Sequence, residues 1–497
     1  MHQHLSEFDV VMEQIGFGRV HLFATVTLGL LQMMAILETM GLGIIGPAAV
    51  CDLRMSLMQL TSILAAGFMG IICSSYFWGY ITDKMGRRWI LLRTISVSNI
   101  CSVISMFMVS FSGFYVMRFM TGIFVAGPSF VAVTYLSEFC NKQIMSRAVT
   151  HLYMFTGFAM LYSPAWGTLF QAQTYMDFEL VISGRLTVRP WRILGCMFTL
   201  PGLIAFFLLL RMPESPKFLF MIGETQKGMD VMDWVCRKNT GRSLNPEQVA
   251  NMLKFQKRVE VKRQQNANNI LLTMLNDAMP LFRKPYVWYF VSGCAVMFVM
   301  GLLANGLGIW YTSMRNRANM RIGPKEHMTF CSLLFDNIPS LMKESEEDLN
   351  IVCNDDLHSF NDSLILGATY IILYNVCWLL LFYVPRKALL VTSLVIASTC
   401  GFTIIFVSNH FIQLFSLIFL VSFPGLIISL MGGALLEFVP TYIRAKALCI
   451  SLMWCRWGAA VGATIVGSSI EKHCEITLLA MAILPLFAAS LESFLPL

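Results

Sequence analysis

Apolar residues come in long blocks along this chain, not in the two-residue alternation of half-buried strands. From about residue 20 onward, runs of roughly 20 apolar residues follow one another with short polar breaks between them. A hydrocarbon layer about 30 Å thick needs about 20 such residues per helical crossing, and lipid offers no partner to an unpaired peptide group. The pattern therefore predicts helices and excludes barrel strands. Twelve spans are expected, at 20–48, 59–82, 89–110, 114–138, 149–170, 191–211, 286–309, 364–384, 388–407, 411–437, 446–468 and 475–495.

Two longer polar stretches punctuate the series. They divide the chain into an N-terminal segment (1–19), a six-helix half (20–210), a linker (211–285) and a second six-helix half (286–497) that contains a large loop (312–363). The linker reads as short helices: Ser215 caps the first, with Pro216 in its opening turn and Gly223 at its end, Thr225 to Gly241 forms a second, and Asn245-Pro246-Glu247 opens a third. The expected fold class is an all-α membrane protein of twelve transmembrane helices in two pseudo-symmetric halves.

Composition agrees, because 56% hydrophobic and 13% charged residues exclude a water-soluble globule. Charge then sets the expected topology. The linker holds 13 Lys and Arg against 7 Asp and Glu, which assigns it to the cytoplasm, whereas the loop at 312–363 is acidic, notably in KESEEDLN, and is expected outside or in a lumen. Both termini are then cytoplasmic. The net charge of +7 is topological and not a nucleic-acid footprint. Residues 1–19 lack a basic start and a cleavage site, so the first span is expected to serve as the insertion signal.

The halves resemble each other. YLSEF (135–139) followed by Arg147 matches ALLEF (434–438) followed by Arg444, a glutamate closing one span and an arginine opening the next. GYITDKMGRR (79–88), between spans 2 and 3, resembles the major facilitator superfamily signature G-x-x-x-D-R/K-x-G-R-R/K, and RFMTGIFVAG (118–127) resembles that superfamily's R-x-x-x-G pattern in span 4. GFGRV (16–20), YLSEF, PWR (190–192), PESPKFL (213–219) and EFVPTYIRA (437–445) are similar to the synaptic vesicle glycoprotein 2 group and the neighbouring organic ion transporters and sugar porters. Relatives carry an acid where this chain has Ala35. The resemblance implies the twelve-helix major facilitator fold and a gate on the cytoplasmic side. There an acid like Asp83 meets the start of span 11 near Ala445, and Arg87, Arg88, Arg118, Glu138, Arg147, Glu214, Glu437 and Arg444 belong to the gating set.

Charges inside spans are costly and point to function. Glu38 lies deep in span 1 and Arg456 in the middle of span 11; both are candidates for a substrate or coupling-ion site, and Glu38 is the natural proton or cation site. Tyr153 in span 5, Trp310 at the end of span 7, and Tyr370 and Tyr374 on one face of span 8 are candidate cavity-lining residues. Most of the 14 cysteines are apolar filler within spans, but Cys331 and Cys353 fall in the acidic outer loop, where a disulfide between them is expected; Cys51 and Cys474 are competing partners. No metal-ligand spacing, phosphate loop or nucleophile motif is present, so neither a cofactor nor an enzyme is expected. Two function classes remain. One is a secondary transporter of a small organic solute, neutral or charged, driven by protons or another coupling ion, in a plasma or vesicle membrane. The other is a transporter-like binding protein with little or no transport.

Overall fold

The computed structural model describes residues 7–170, 180–182, 186–253, 279–283, 287–320, 328–335, 360–438, 444–470 and 472–493. Span 1 is Arg19–Met40 continued by Leu42–Leu53, span 2 Leu57–Met85, span 3 Arg87–Met106, span 4 Phe111–Glu138, and span 5 Lys142–Tyr153 continued by Phe155–Phe170. Span 6 is Pro190–Met197 with Leu200–Leu210, and span 7 runs Val287–Gly301, a π-helical turn Leu302–Leu307, and Gly308–Met320. Spans 8 to 12 are Phe360–Leu380, Arg386–Phe406, His410–Phe438, Arg444–Ser469 and Cys474–Ser493.

Among the described residues 11 helices are long and apolar enough to cross a membrane. The remaining one of the expected twelve is span 5, whose two pieces of 12 and 16 residues meet at Met154, where Gly157 N donates to Met154 O at 2.9 Å in a tighter, three-residue turn. The polar breaks begin the helices that follow them. Ser56 and Gln59 form a reciprocal capping box at span 2, Ser110 accepts from Gly113 N at span 4, and Asn141 accepts from Ile144 N at span 5. A short antiparallel hairpin, β1 (Leu180–Ile182) with β2 (Leu186–Val188), lies between spans 5 and 6.

The two halves meet along span 2 against span 11 and span 5 against span 8. The second contact brings backbones together. A Cβ added at Gly367 of span 8 meets Leu161 N of span 5 at 2.5 Å, and one added at Gly157 meets Ile371 N at 2.8 Å, so only glycine fits at this crossing.

The linker packs on one end of the bundle, called here the linker face. Ser215 accepts from Phe218 N to open the helix Pro216–Ile222, and Gly223, left-handed at φ 86°, closes it. The next helix, Thr225–Thr240, is fastened to span 1 through Asn239, whose Oδ1 accepts from Val20 N at 3.0 Å and whose Nδ2 lies 3.2 Å from His21 Nδ1. The N-terminal helix Glu7–Ile15 buries Phe8, Val11, Met12 and Ile15.

At the opposite, far face the expected disulfide is corrected. Cys331 pairs with Cys474, at a Cα separation of 5.9 Å across 143 residues of sequence, and Cys353 lies outside the described residues. The expectation preferred a partner within one loop and kept Cys474 as a competitor. The fold instead brings the first residue of span 12 against the helix Phe330–Phe335, so the link ties the loop to the bundle.

Candidate functional site

Burying a charge in hydrocarbon demands a partner. Glu38 and Arg118, expected in separate roles, are each other's partner: Arg118 Nη1 donates to Glu38 Oε2 at 2.9 Å, with each side chain only 1% exposed. Ser102 of span 3 completes the carboxylate's shell, its hydroxyl lying 2.8 and 2.7 Å from Oε1 and Oε2. The guanidinium also sits 5.4 Å from the Phe114 ring centroid and 3.7 Å from Met106 Sδ, so the pair joins spans 1, 3 and 4 in a buried setting. Glu38 is three residues from Gly41, where span 1 breaks. Span 7, the corresponding first helix of the second half, is interrupted by its π-helical turn Leu302–Leu307. The first span of each half is thus interrupted, span 1 at Gly41 and span 7 at Leu302–Leu307.

Arg456 occupies the middle of span 11 at 6% exposure. Among the described residues its guanidinium has no ion-pair or hydrogen-bond partner, and Nε is buried with none. Its electrostatic neighbours are Tyr153, from span 5 of the other half, and Cys455. The flanking Trp454 and Trp457 face outward, 40% and 47% exposed. The other aromatic candidates have their donors engaged: Tyr370 and Tyr374 hydroxyls donate to Val421 O (3.0 Å) and Gly425 O (2.9 Å) of span 10, and Trp310 Nε1 donates to Ala463 O (2.8 Å) of span 11. These three pin helices together.

At the linker face the signature forms one ionic network. Arg87 Nη2 lies 2.9 Å from both Asp83 Oδ1 and Glu138 Oε1, and Arg87 Nη1 donates to Thr82 O. Glu214, just after span 6, accepts from the backbone amides of Arg87 (2.9 Å), Arg88 (3.1 Å) and Ser215 (2.9 Å). Gly86 is required twice over: it holds φ 96°, and an added Cβ would come within 2.6 Å of Glu214 Oε2. Arg88 donates to Leu209 O and Leu210 O at the end of span 6. The network thus binds spans 2, 3, 4 and 6 within the first half. Toward the second half, Gly79 of span 2 lies against Cys449 of span 11, an added Cβ coming 3.0 Å from its Sγ, and Arg147 stacks its guanidinium 4.0 Å from the Phe382 ring centroid just past the end of span 8. The side chains of Glu437 and Arg444 lie outside the described residues.

Two clamps at the far face escaped the sequence reading. Arg192 of span 6 pairs with Asp52 of span 1 at 2.6 Å and donates to Met108 O, and Arg315 of span 7 pairs with Asp362 of span 8 at 2.8 Å. PWR holds Arg192, and an acid and a base at span ends were the available signal, but nothing local named their partners.

Residues 17–313 match the family described as "Sugar (and other) transporter". Synaptic vesicle glycoprotein 2A of Rattus norvegicus is 24% identical over 246 residues, covering 49% of this chain and 33% of that protein. Synaptic vesicle glycoprotein 2B of Mus musculus is 22% identical over 327 residues, 62% of this chain and 47% of that protein, so the chain spans less than half the length of these relatives. Among solved structures, a partially occluded inward-open conformation of the xylose transporter XylE from E. coli superposes with a TM-score of 0.66 at 15% identity, covering 96% of this chain and 99% of that one. The proton:xylose symporter XylE bound to 6-bromo-6-deoxy-D-glucose gives 0.66 at 16% identity, with 97% of each chain covered. The likeness to these structures establishes the major facilitator fold, in a multi-pass integral membrane protein. By the match over most of its first 313 residues, the chain belongs to the sugar (and other) transporter family.

Proposed function

We propose that the chain is a secondary transporter that moves a small organic solute by alternating access, coupled to protons through Glu38. The observation that carries this reading is the buried Glu38–Arg118 pair beside the break in span 1. A carboxylate held by one arginine and one hydroxyl has two stable conditions. Ionised, it locks span 1 to span 4; protonated, it releases Arg118 and loosens that joint, giving the two states that a coupled carrier needs. The linker face is cytoplasmic in this reading, and the network around Arg87 holds the first half rigid as it rocks against the second. The membrane is that of a vesicle or the cell surface.

The second reading, a binding protein of transporter build, draws on the engaged hydroxyls of Tyr370 and Tyr374, which fasten span 8 to span 10. Uptake into proteoliposomes from a mixed pool of small organic solutes, with and without an imposed pH gradient, separates the two. Accumulation that follows the gradient in wild type and is lost in Glu38→Gln supports the coupled carrier. Absence of solute movement under either condition overturns it in favour of the binding protein.

A further inference from the structure

We infer that Arg192 is a positioning residue for the far face: it follows the state of the Glu38–Arg118 pair and releases the outer piece of span 1 when Glu38 takes a proton. This rests on the transport reading above and adds how the proton event reaches a gate. Span 1 is held on both sides of its break at Gly41. Before the break, Glu38 is bound by Arg118 at 2.9 Å and by the Ser102 hydroxyl at 2.8 and 2.7 Å. Beyond it, Asp52 in the piece Leu42–Leu53 accepts from Arg192 Nη2 at 2.6 Å and from Nε at 3.1 Å. The two pieces of one bent helix are thus tied down by two arginines, one from span 4 and one from span 6.

Two routes of direct contact join those arginines. In the first, Arg118 Nη2 rests 3.7 Å from Met106 Sδ, and the carbonyl of the same Met106, the last residue of span 3, accepts from Arg192 Nη1, with Met108 O accepting from it at 2.9 Å. Gly195 of span 6 leaves no room for a Cβ beside Met106 Sδ, so the thioether is pressed against the helix that carries Arg192. In the second, rings bridge the gap: the Arg118 guanidinium lies 5.4 Å from the Phe114 centroid, Phe114 meets Trp191 edge to face at 6.1 Å, and the Arg192 guanidinium lies 4.5 Å from the Trp191 centroid. Met106, Phe114 and Trp191 are all buried. A packed chain of this kind changes between discrete arrangements and does not bend gradually. Ionised Glu38 keeps Arg118 seated on Met106 and Phe114. Once a proton adds to a Glu38 oxygen, the charge-assisted bond is lost, Arg118 shifts, and the seat that aims Arg192 at Asp52 shifts with it. Among the described residues the charged or titratable side chains facing Glu38 are Arg118 and, from span 6, Cys196. The bridge also gives PWR (190–192) a purpose: Pro190 opens the helix, and Trp191 and Arg192 take up the two routes.

Amide hydrogen exchange tests the bridge, read by mass spectrometry on purified full-length protein in nanodiscs at one fixed pH. The reporting peptides cover Leu42–Arg54, and those of the linker helix Thr225–Thr240 serve as the control for general loosening. Glu38→Gln, standing in for the protonated acid, should accelerate exchange in Leu42–Arg54 by about 5-fold or more and leave the control unchanged. Asp52→Asn should do the same, and the double variant should exchange no faster than the faster single one. With Met106→Ala and Trp191→Leu both routes are cut, and Glu38→Gln should then add less than about 2-fold. Should that background fail to fold, the cycle of Glu38→Gln with Asp52→Asn decides alone. Unchanged exchange in Glu38→Gln, equal acceleration in the control, accelerations that multiply in the double variant, or a full response with both routes cut overturns the proposal. Non-additive exchange in a protein that moves no solute would overturn the transport reading and leave the bridge standing, whereas proton-driven uptake with multiplying accelerations would do the reverse.

Discussion

Arg118 Nη1 lies 2.9 Å from Glu38 Oε2, joining span 4 to span 1 across 80 residues of sequence inside the membrane. Removing Arg118 leaves Glu38 with Ser102 alone, so the carboxyl must take up a proton or stand as a lone charge in hydrocarbon. Arg118→Ala is expected to cost about 3–5 kcal/mol, seen as a large fall in thermal midpoint and in folded yield. Glu38→Gln keeps an acceptor for Ser102 and Arg118 and is expected to fold, losing proton coupling while retaining structure. A midpoint for Arg118→Ala equal to wild type would remove the pair from the list of structural elements.

Gly86 is the hinge point of the signature. Gly86→Ala must hold an alanine at φ 96° with its Cβ driven toward Glu214, so it is expected to destabilise by roughly 1–3 kcal/mol and to loosen the linker from spans 2 and 3. Limited proteolysis after Gly223 should accelerate in the variant. Unchanged proteolysis together with an unchanged midpoint would show that the Glu214 cradle contributes nothing.

Asp83 is one-third exposed and its pair with Arg87 is worth little alone, about 1 kcal/mol or less. Asp83→Asn should therefore fold normally yet shift a balanced equilibrium by roughly two- to five-fold toward opening at the linker face. Cys449, buried beside Gly79 on span 11, reports that opening without any added label site. Its alkylation rate, read by mass spectrometry, should rise in Asp83→Asn; an equal rate would leave these charges as topological anchors.

The Cys331–Cys474 link closes a 143-residue separation. Non-reducing peptide mapping of protein taken from membranes should recover the two cysteines in one cross-linked species, and reduction should lower stability by about 2–5 kcal/mol. Recovery of Cys331 joined to Cys353, or of both as free thiols, would contradict the fold at the far face.

Much of this was legible in the chain because hydrocarbon imposes a length on every crossing and a location on every basic loop. GYITDKMGRR announced both its place between spans 2 and 3 and its family, and the linker helices were readable from Ser215, Pro216 and Gly223, whose backbone roles are local. Pairings were not legible. Glu38 and Arg118 were each conspicuous, but nothing within 80 residues says that a carboxylate and a guanidinium meet, and Ser102 between them looks like any hydroxyl in a helix. Cys474 was named only as a competitor to Cys353, and what brings it rather than Cys353 to Cys331 is packing, not sequence. The break at Met154 was equally hidden, since span 5 reads as one continuous apolar run. Arg456 was visible as a charge; that no described residue pairs with it is a property of the folded bundle alone.

The most direct measurement of the central claim, that the halves rock around a midplane site, is a pair of distances in the same protein. Spin labels carried on unnatural amino acids at Met85 and Tyr383 report the linker face, and at Leu169 and Asn361 the far face, all four being exposed positions. The account predicts two populations in nanodiscs, one long at the linker face and short at the far face and the other the reverse, with their ratio moved by pH in wild type and fixed in Glu38→Gln. A single population with both distances invariant across pH would contradict it.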